Sequence, residues 1–144
     1  MAENPRPRIL LVDDDAGVVD ALKRTLRNRF EVDSACDGKE AIRLVLSRGP
    51  FAVVMSDLRM PGMDGISLLY LIRQAAPDTV RILLTGHADV EAAICAINQG
   101  CVFRFLTKPC PPAALIRALN ESIEKYLATA HQSEPPEPTA PVPA

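Results

Sequence analysis

The sequence has no excess of positive charge. Its 16 Lys and Arg stand against 18 Asp and Glu, a formal net charge of −2. Neutralising nucleic-acid phosphates takes clustered basic residues, so no direct nucleic-acid contact is expected. Cysteine is scarce, and the spacings of Cys36, Cys95, Cys101 and Cys110 match neither a zinc site nor a redox pair. They read as reduced thiols in or near a core. The two histidines, His87 and His131, have no second ligand at metal spacing. No hydrophobic run approaches the ~20 residues that span a bilayer. Met1 to Arg8 is polar and proline-containing and lacks the apolar stretch of a signal peptide. There is no internal repeat. The expectation is a soluble, cytoplasmic protein without membrane contact.

What is present suffices for one core. The chain has 144 residues, 48% of them hydrophobic, and a domain near 150 residues buries roughly 68–70% of its unfolded surface. Short apolar runs alternate with helical periodicity. Ile9–Val12, Ala52–Met55 and Ile82–Leu84 read as strands buried on both faces, and Val102–Leu106 as a fifth strand. Phe30–Ala35 carries Glu31 and Asp33 between apolar residues, which marks a sheet edge. Helical stripes are expected at Val18, Leu22 and Leu26, and at Ala41, Ile42, Val45 and Leu46. A third follows Asp64-Gly65 with Ile66, Leu69 and Ile72. Val90, Ala93, Ile94 and Ile97 form a fourth, ended by Gly100. The last helix starts near Pro111-Pro112 and carries Leu115, Leu119, Ile123 and Leu127. This alternation predicts an α/β fold, a doubly wound five-stranded parallel sheet of flavodoxin-like order 2-1-3-4-5 with helices on both faces. The domain is expected over 8–131, after a disordered 1–7 and before a Pro-rich disordered tail or linker over 132–144.

Right-handed crossovers place the C-terminal ends of parallel strands on one rim. There stand Asp13-Asp14-Asp15 after the first strand, Ser56-Asp57 after the third, Thr85-Gly86 after the fourth and Thr107-Lys108-Pro109 after the fifth. Crowded carboxylates repel unless a cation joins them, and oxygen-only ligands select a hard ion such as Mg²⁺. A carboxylate nucleophile beside such an ion, an ammonium and a hydroxyl is equipped to take a phosphoryl group. Each residue alone has a blander reading: Asp15 is a helix N-cap, Thr85 a turn hydroxyl, Lys108 a solvated charge and Phe105 a core ring. The combination outweighs these.

The strings Ile9–Asp15, Ser56–Gly65, Leu84-Thr85-Gly86 and Phe105–Pro109 resemble the receiver domain of two-component response regulators, over about residues 8–128. The resemblance implies that Asp57 is phosphorylated by a sensor histidine kinase or phosphotransfer protein. It implies an acidic pair, Asp13 and Asp14, that holds Mg²⁺ (Mn²⁺ being an alternative) with Asp57 and the backbone carbonyl of Arg59. Lys108 would pair with Asp57 and contact the phosphoryl group, and its bond to Pro109 is usually cis in the family. Thr85 and Phe105 would switch together. Phe105 stands where the family often has Tyr, so no phenolic hydroxyl is available to a partner. Arg59 and His87, two positions past Asp57 and Thr85, would tune the phosphoryl lifetime. The fourth helix, fifth strand and last helix would form the output face, where Arg104, Arg117, Glu121, Glu124 and Lys125 could bridge a homodimer. Such a protein catalyses only its own phosphorylation and dephosphorylation.

Three other readings compete. A haloacid-dehalogenase-type phosphatase needs an acid where Arg59 stands. A flavin-binding module needs a phosphate loop where Asp13-Asp14-Asp15 would repel phosphate. A degenerate receiver acting as a phosphorylation-independent scaffold is the alternative that stays open, although the complete residue set speaks against it. Leu83–Asp89 also resembles receivers that precede cyclic-dinucleotide phosphodiesterase domains or kinases.

Overall fold

The computed structural model describes residues 6–132. Five strands alternate with five helices: β1 (Arg8–Val12), α1 (Ala16–Leu26), β2 (Glu31–Ala35), α2 (Gly38–Arg48), β3 (Val53–Asp57), α3 (Gly65–Ala75), β4 (Val80–Thr85), α4 (Val90–Asn98), β5 (Arg104–Thr107) and α5 (Pro112–Gln132), with one 3₁₀ turn at His87–Asp89. All neighbouring strands are parallel, in the order β2-β1-β3-β4-β5. This is the expected doubly wound sheet.

The side-chain period of two divides the strands between two cores. Leu10, Val12, Val54 and Leu83 point to the layer of α2, α3 and α4, with Leu44, Leu68, Leu69, Ile72 and Ala93. Ile9, Leu11, Val53, Met55, Ile82 and Leu84 point to α1 and α5, with Leu26, Leu115, Leu119 and Ile123. Covering both faces explains the unbroken apolar runs. At the edge, β2 is less buried: Glu31 is exposed and Asp33 half-buried.

Helix starts follow the side-chain oxygens. The Asp15 carboxylate accepts from the N–H groups of Gly17 (2.9 Å) and Val18 (3.3 Å). Asp37 accepts from Glu40 N–H (2.8 Å) and Asp64 from Ser67 N–H (2.8 Å). Gly100, at φ +79°, takes the left-handed conformation that ends the α4 segment.

Some boundaries differ from expectation. β5 begins at Arg104 rather than Val102, because Val102 is buried in the turn before the strand. Leu46, Ile94 and Leu127, counted among the helical stripes, are exposed. Of the segment expected to lack structure at the N-terminus, Pro7 offers its carbonyl to Glu31 N–H (3.0 Å) and Arg6 donates to the Arg27 carbonyl (3.0 Å). The rest of that segment, 1–5, and the Pro-rich tail, 133–144, lie outside the described residues.

Candidate functional site

The register fixes what meets at the C-terminal rim. Val12 lies beside Ser56, Asp57 beside Leu84 and Thr85 beside Thr107. The residues that follow these positions are therefore brought to one end of three adjacent strands and β5. Asp13 continues the ladder by donating its N–H to the Ala35 carbonyl (3.1 Å), which draws its side chain inward to 4% exposure.

One ammonium serves two of the carboxylates. Lys108 Nζ lies 3.1 Å from Asp57 Oδ1 and 3.3 Å from Asp13 Oδ2. Asp13 Oδ1 accepts from the Asp15 N–H at 2.9 Å. Lys108 is itself fixed by its backbone, whose N–H donates to the Thr85 carbonyl (2.8 Å), and its bond to Pro109 is cis. Asp14 is exposed, yet oxygens of Asp13, Asp14 and Asp57 all lie within 4.8 Å of one another.

The charges do not balance. Burial pushes the Asp57 carboxyl above the usual carboxylate range, and the Asp13 charge pushes the same way. The hydrogen bond and charge of Lys108 oppose this without cancelling it. For Lys108, burial works against the ammonium, but the hydrogen bond it donates to Asp57 and the charges of both carboxylates outweigh it and raise its pKa. Three carboxylates against one ammonium leave an all-oxygen cluster whose donors suit a hard divalent ion.

The other expected residues lie around this cluster. Thr85 is fully buried, its hydroxyl 3.5 Å from the Gly86 carbonyl oxygen. Phe105 is half-buried against the α2–α3–α4 core. His87 is exposed in the 3₁₀ turn. Arg59 follows Asp57 by two residues, but its guanidinium is occupied: Nε and Nη2 donate to Asp89 at 2.7 and 2.6 Å. Asp89 is the residue that sequence reasoning missed. Its pairing depends on β3 and β4 being neighbours, and nothing local in the sequence marks it. On the expected output face, Arg104 of β5 pairs with Glu121 of α5 within the same chain. Arg104 and Lys125 also lie over the Phe103 ring, at 5.1 and 5.3 Å.

Comparison with known proteins agrees with this geometry. The family model described as the response regulator receiver domain matches residues 9–120. The hydrogenase transcriptional regulatory protein HoxA of Cupriavidus necator is 36% identical over 116 residues, 81% of this chain but 24% of that protein. Curated relatives such as this one are longer, and the chain spans about a quarter of their length. A crystal structure described as adenylate cyclase from Rhodopirellula baltica superposes with a TM-score of 0.85 at 42% identity, covering 88% of this chain and 95% of that one. The signal receiver domain of an HD domain-containing protein from Pseudomonas fluorescens gives 0.83 at 33% identity, covering 92% and 97%. Five parallel strands in this order, an acidic cluster met by a lysine at their C-terminal rim, and a family match across most of the chain lead to one conclusion: the protein belongs to the response regulator receiver domain family of two-component signalling.

Proposed function

We propose that Asp57 is the phosphoryl acceptor of this receiver, charged by a sensor histidine kinase or phosphotransfer protein. The observation that carries the reading is the Lys108 ammonium, held between Asp57 and Asp13 at 3.1 and 3.3 Å. The Asp57 carboxylate attacks phosphorus, the donor's leaving group departs with the bonding pair, and Lys108 is in place to stabilise the transferring oxygens.

Asp13, Asp14 and Asp57 would hold Mg²⁺, or Mn²⁺, together with the Arg59 backbone carbonyl. When bound, the ion neutralises charge on the phosphoryl oxygens. Thr85 and Phe105 sit on adjacent strands, with Phe105 opposite Leu83 and Thr107 opposite Thr85. Movement of the Thr85 hydroxyl toward a phosphoryl oxygen would vacate space that the half-buried Phe105 ring can fill. This population shift would alter the α4–β5–α5 face. That face is read by a partner, an output domain or a second copy of the chain. Arg59 and His87 set the phosphoryl lifetime from the loops beside the acceptor. The receiver comprises residues 8–131, and the Pro-rich 132–144 segment acts as a tail or linker. No helix among the described residues is long and apolar enough to cross a membrane, and signalling inside the cell fits the family.

Incubation with Mg²⁺ and a small acyl phosphate tests the reading by intact mass. One added phosphoryl group is expected, absent in Asp57→Ala and absent without divalent ion. A phosphorylation-independent scaffold would show no adduct under any of these conditions.

A further inference from the structure

The Arg59–Asp89 pair has features that the phosphorylation chemistry does not require. An arginine whose side chain is 77% exposed is ordinarily free to sample many rotamers. Here both Nε and Nη2 are held on the two oxygens of one carboxylate, at 2.7 and 2.6 Å. This side-on fork is the geometry that fixes a guanidinium in orientation as well as in position. The anchor is more buried than the group it holds, since the Asp89 side chain is only 13% exposed.

The pair also joins two separate loops. Arg59 stands two residues after Asp57, on the connection from β3 to α3. Asp89 stands four residues after Thr85, in the turn between β4 and α4. β3 and β4 are hydrogen-bonded neighbours, so the pair links the loops that follow Asp57 and Thr85 at the C-terminal rim. An open cavity of about 570 Å³ is lined by Arg59 and Asp89 themselves together with Leu58, Met60, Pro61 and Ala92 of α4. Leu58 and Met60 of the first loop are buried in the core that also holds Ala93 of α4, and the ion pair ties the two loops together at the surface above that packing.

Resting on the reading of Asp57 as phosphoryl acceptor, we propose that Asp89 is a positioning residue for the phosphoryl lifetime, acting by clamping the Arg59 side chain across the rim so that it hinders the approach of water. In the decay step the oxygen of water bonds to phosphorus and the P–O bond to Asp57 breaks. The Asp57 carboxylate keeps the bonding pair, and the protons of water leave with inorganic phosphate or to solvent. A clamped guanidinium restricts the path of that water. A released one, on a flexible three-carbon stem, does not. Arg59 therefore prolongs the phosphorylated state only while Asp89 holds it.

The test is a double-mutant cycle on the decay rate. Parent protein, Asp89→Ala, Arg59→Ala, the double variant and Asp89→Glu are phosphorylated with a small acyl phosphate and Mg²⁺. Donor is removed and loss of the phosphoryl mass is followed over time. Asp89→Ala and Arg59→Ala are each expected to decay about threefold faster or more, at the low end of coupling seen between contacting residues. The double variant should decay no faster than Arg59→Ala, and Asp89→Glu, which keeps the fork, should recover most of the parent lifetime. The proposal is overturned if Asp89→Ala decays like the parent, or if it speeds the Arg59→Ala background by the same factor as the parent. An adduct that forms normally with unchanged decay throughout removes the clamp and leaves the acceptor assignment standing. Absence of any adduct on the parent removes both.

Discussion

Asp57 is held in the folded protein at a cost. Burial and the Asp13 charge raise its pKa, and Lys108 recovers only part of the difference. A carboxyl whose pKa is higher folded than unfolded binds more protons in the native state between the two values. Stability therefore falls as pH rises through that window, and the cost is fully present above it. Asp57→Ala should accordingly be more stable than the parent at neutral pH without divalent ion, by about 0.5–2 kcal/mol. The gap should close as pH falls into the carboxylate range, which thermal unfolding at a series of pH values would show. Mg²⁺ should reverse the order. At about 100 times its Kd the ion adds roughly 2.7 kcal/mol to a protein that binds it only when folded, and Asp57→Ala lacks one of the proposed ligands. Lys108→Ala has the opposite sign. It strips two carboxylates of their shared cation and should lower stability by about 1–3 kcal/mol, read as a drop in the denaturant midpoint.

At the scale of elements, the loop from β3 to α3 determines how Asp57, the proposed acceptor, is presented. Gly65 donates its N–H to the Leu58 carbonyl at 2.8 Å, and a Cβ there would stand 2.1 Å from the Asp57 carbonyl oxygen. Backbone cannot yield as a flexible side chain can. Gly65→Ala should cost about 1–3 kcal/mol and slow phosphorylation by moving Asp57, both measurable on the same preparation. The elements themselves were readable from the sequence where physics acts locally. The capping carboxylates of Asp15 and Asp64 and the doubly buried runs of β1, β3 and β4 needed no tertiary information. Legibility failed where the neighbour decides. Val102 is as apolar as a strand residue but is buried by a turn. Leu46 and Leu127 continue a helical period onto faces that nothing among the described residues covers, and Leu127 keeps 60% of its surface exposed. Periodicity reports that a residue shares a face, and the packing partner alone determines how far that face is covered.

For the whole molecule, strand order converts four distant strings into one cluster. Asp13 and Lys108 are 95 positions apart in the chain and 3.3 Å apart in space. Parallel connections bring all strand C-termini to one rim whatever the loops do, so Asp13, Asp14, Asp57, Thr85 and Lys108 could be gathered on paper. Asp89 could not, because its partner is set by the path of two loops beyond the strand ends. The same connectivity gives the site a route outward: Lys108 N–H bonds to the Thr85 carbonyl, β5 lies beside β4, and Arg104 of β5 pairs with Glu121 of α5. The central claim is that a phosphoryl group on Asp57 is read along this route. The most direct measurement is a backbone amide NMR spectrum before and after Mg²⁺-dependent phosphorylation, with Asp57→Ala as control. The prediction is that resonances of Thr85, Phe105 and the α4–β5–α5 face shift in the parent and stay fixed in the variant. Shifts confined to Asp57 and its loop neighbours, or shifts that persist in Asp57→Ala, would contradict it.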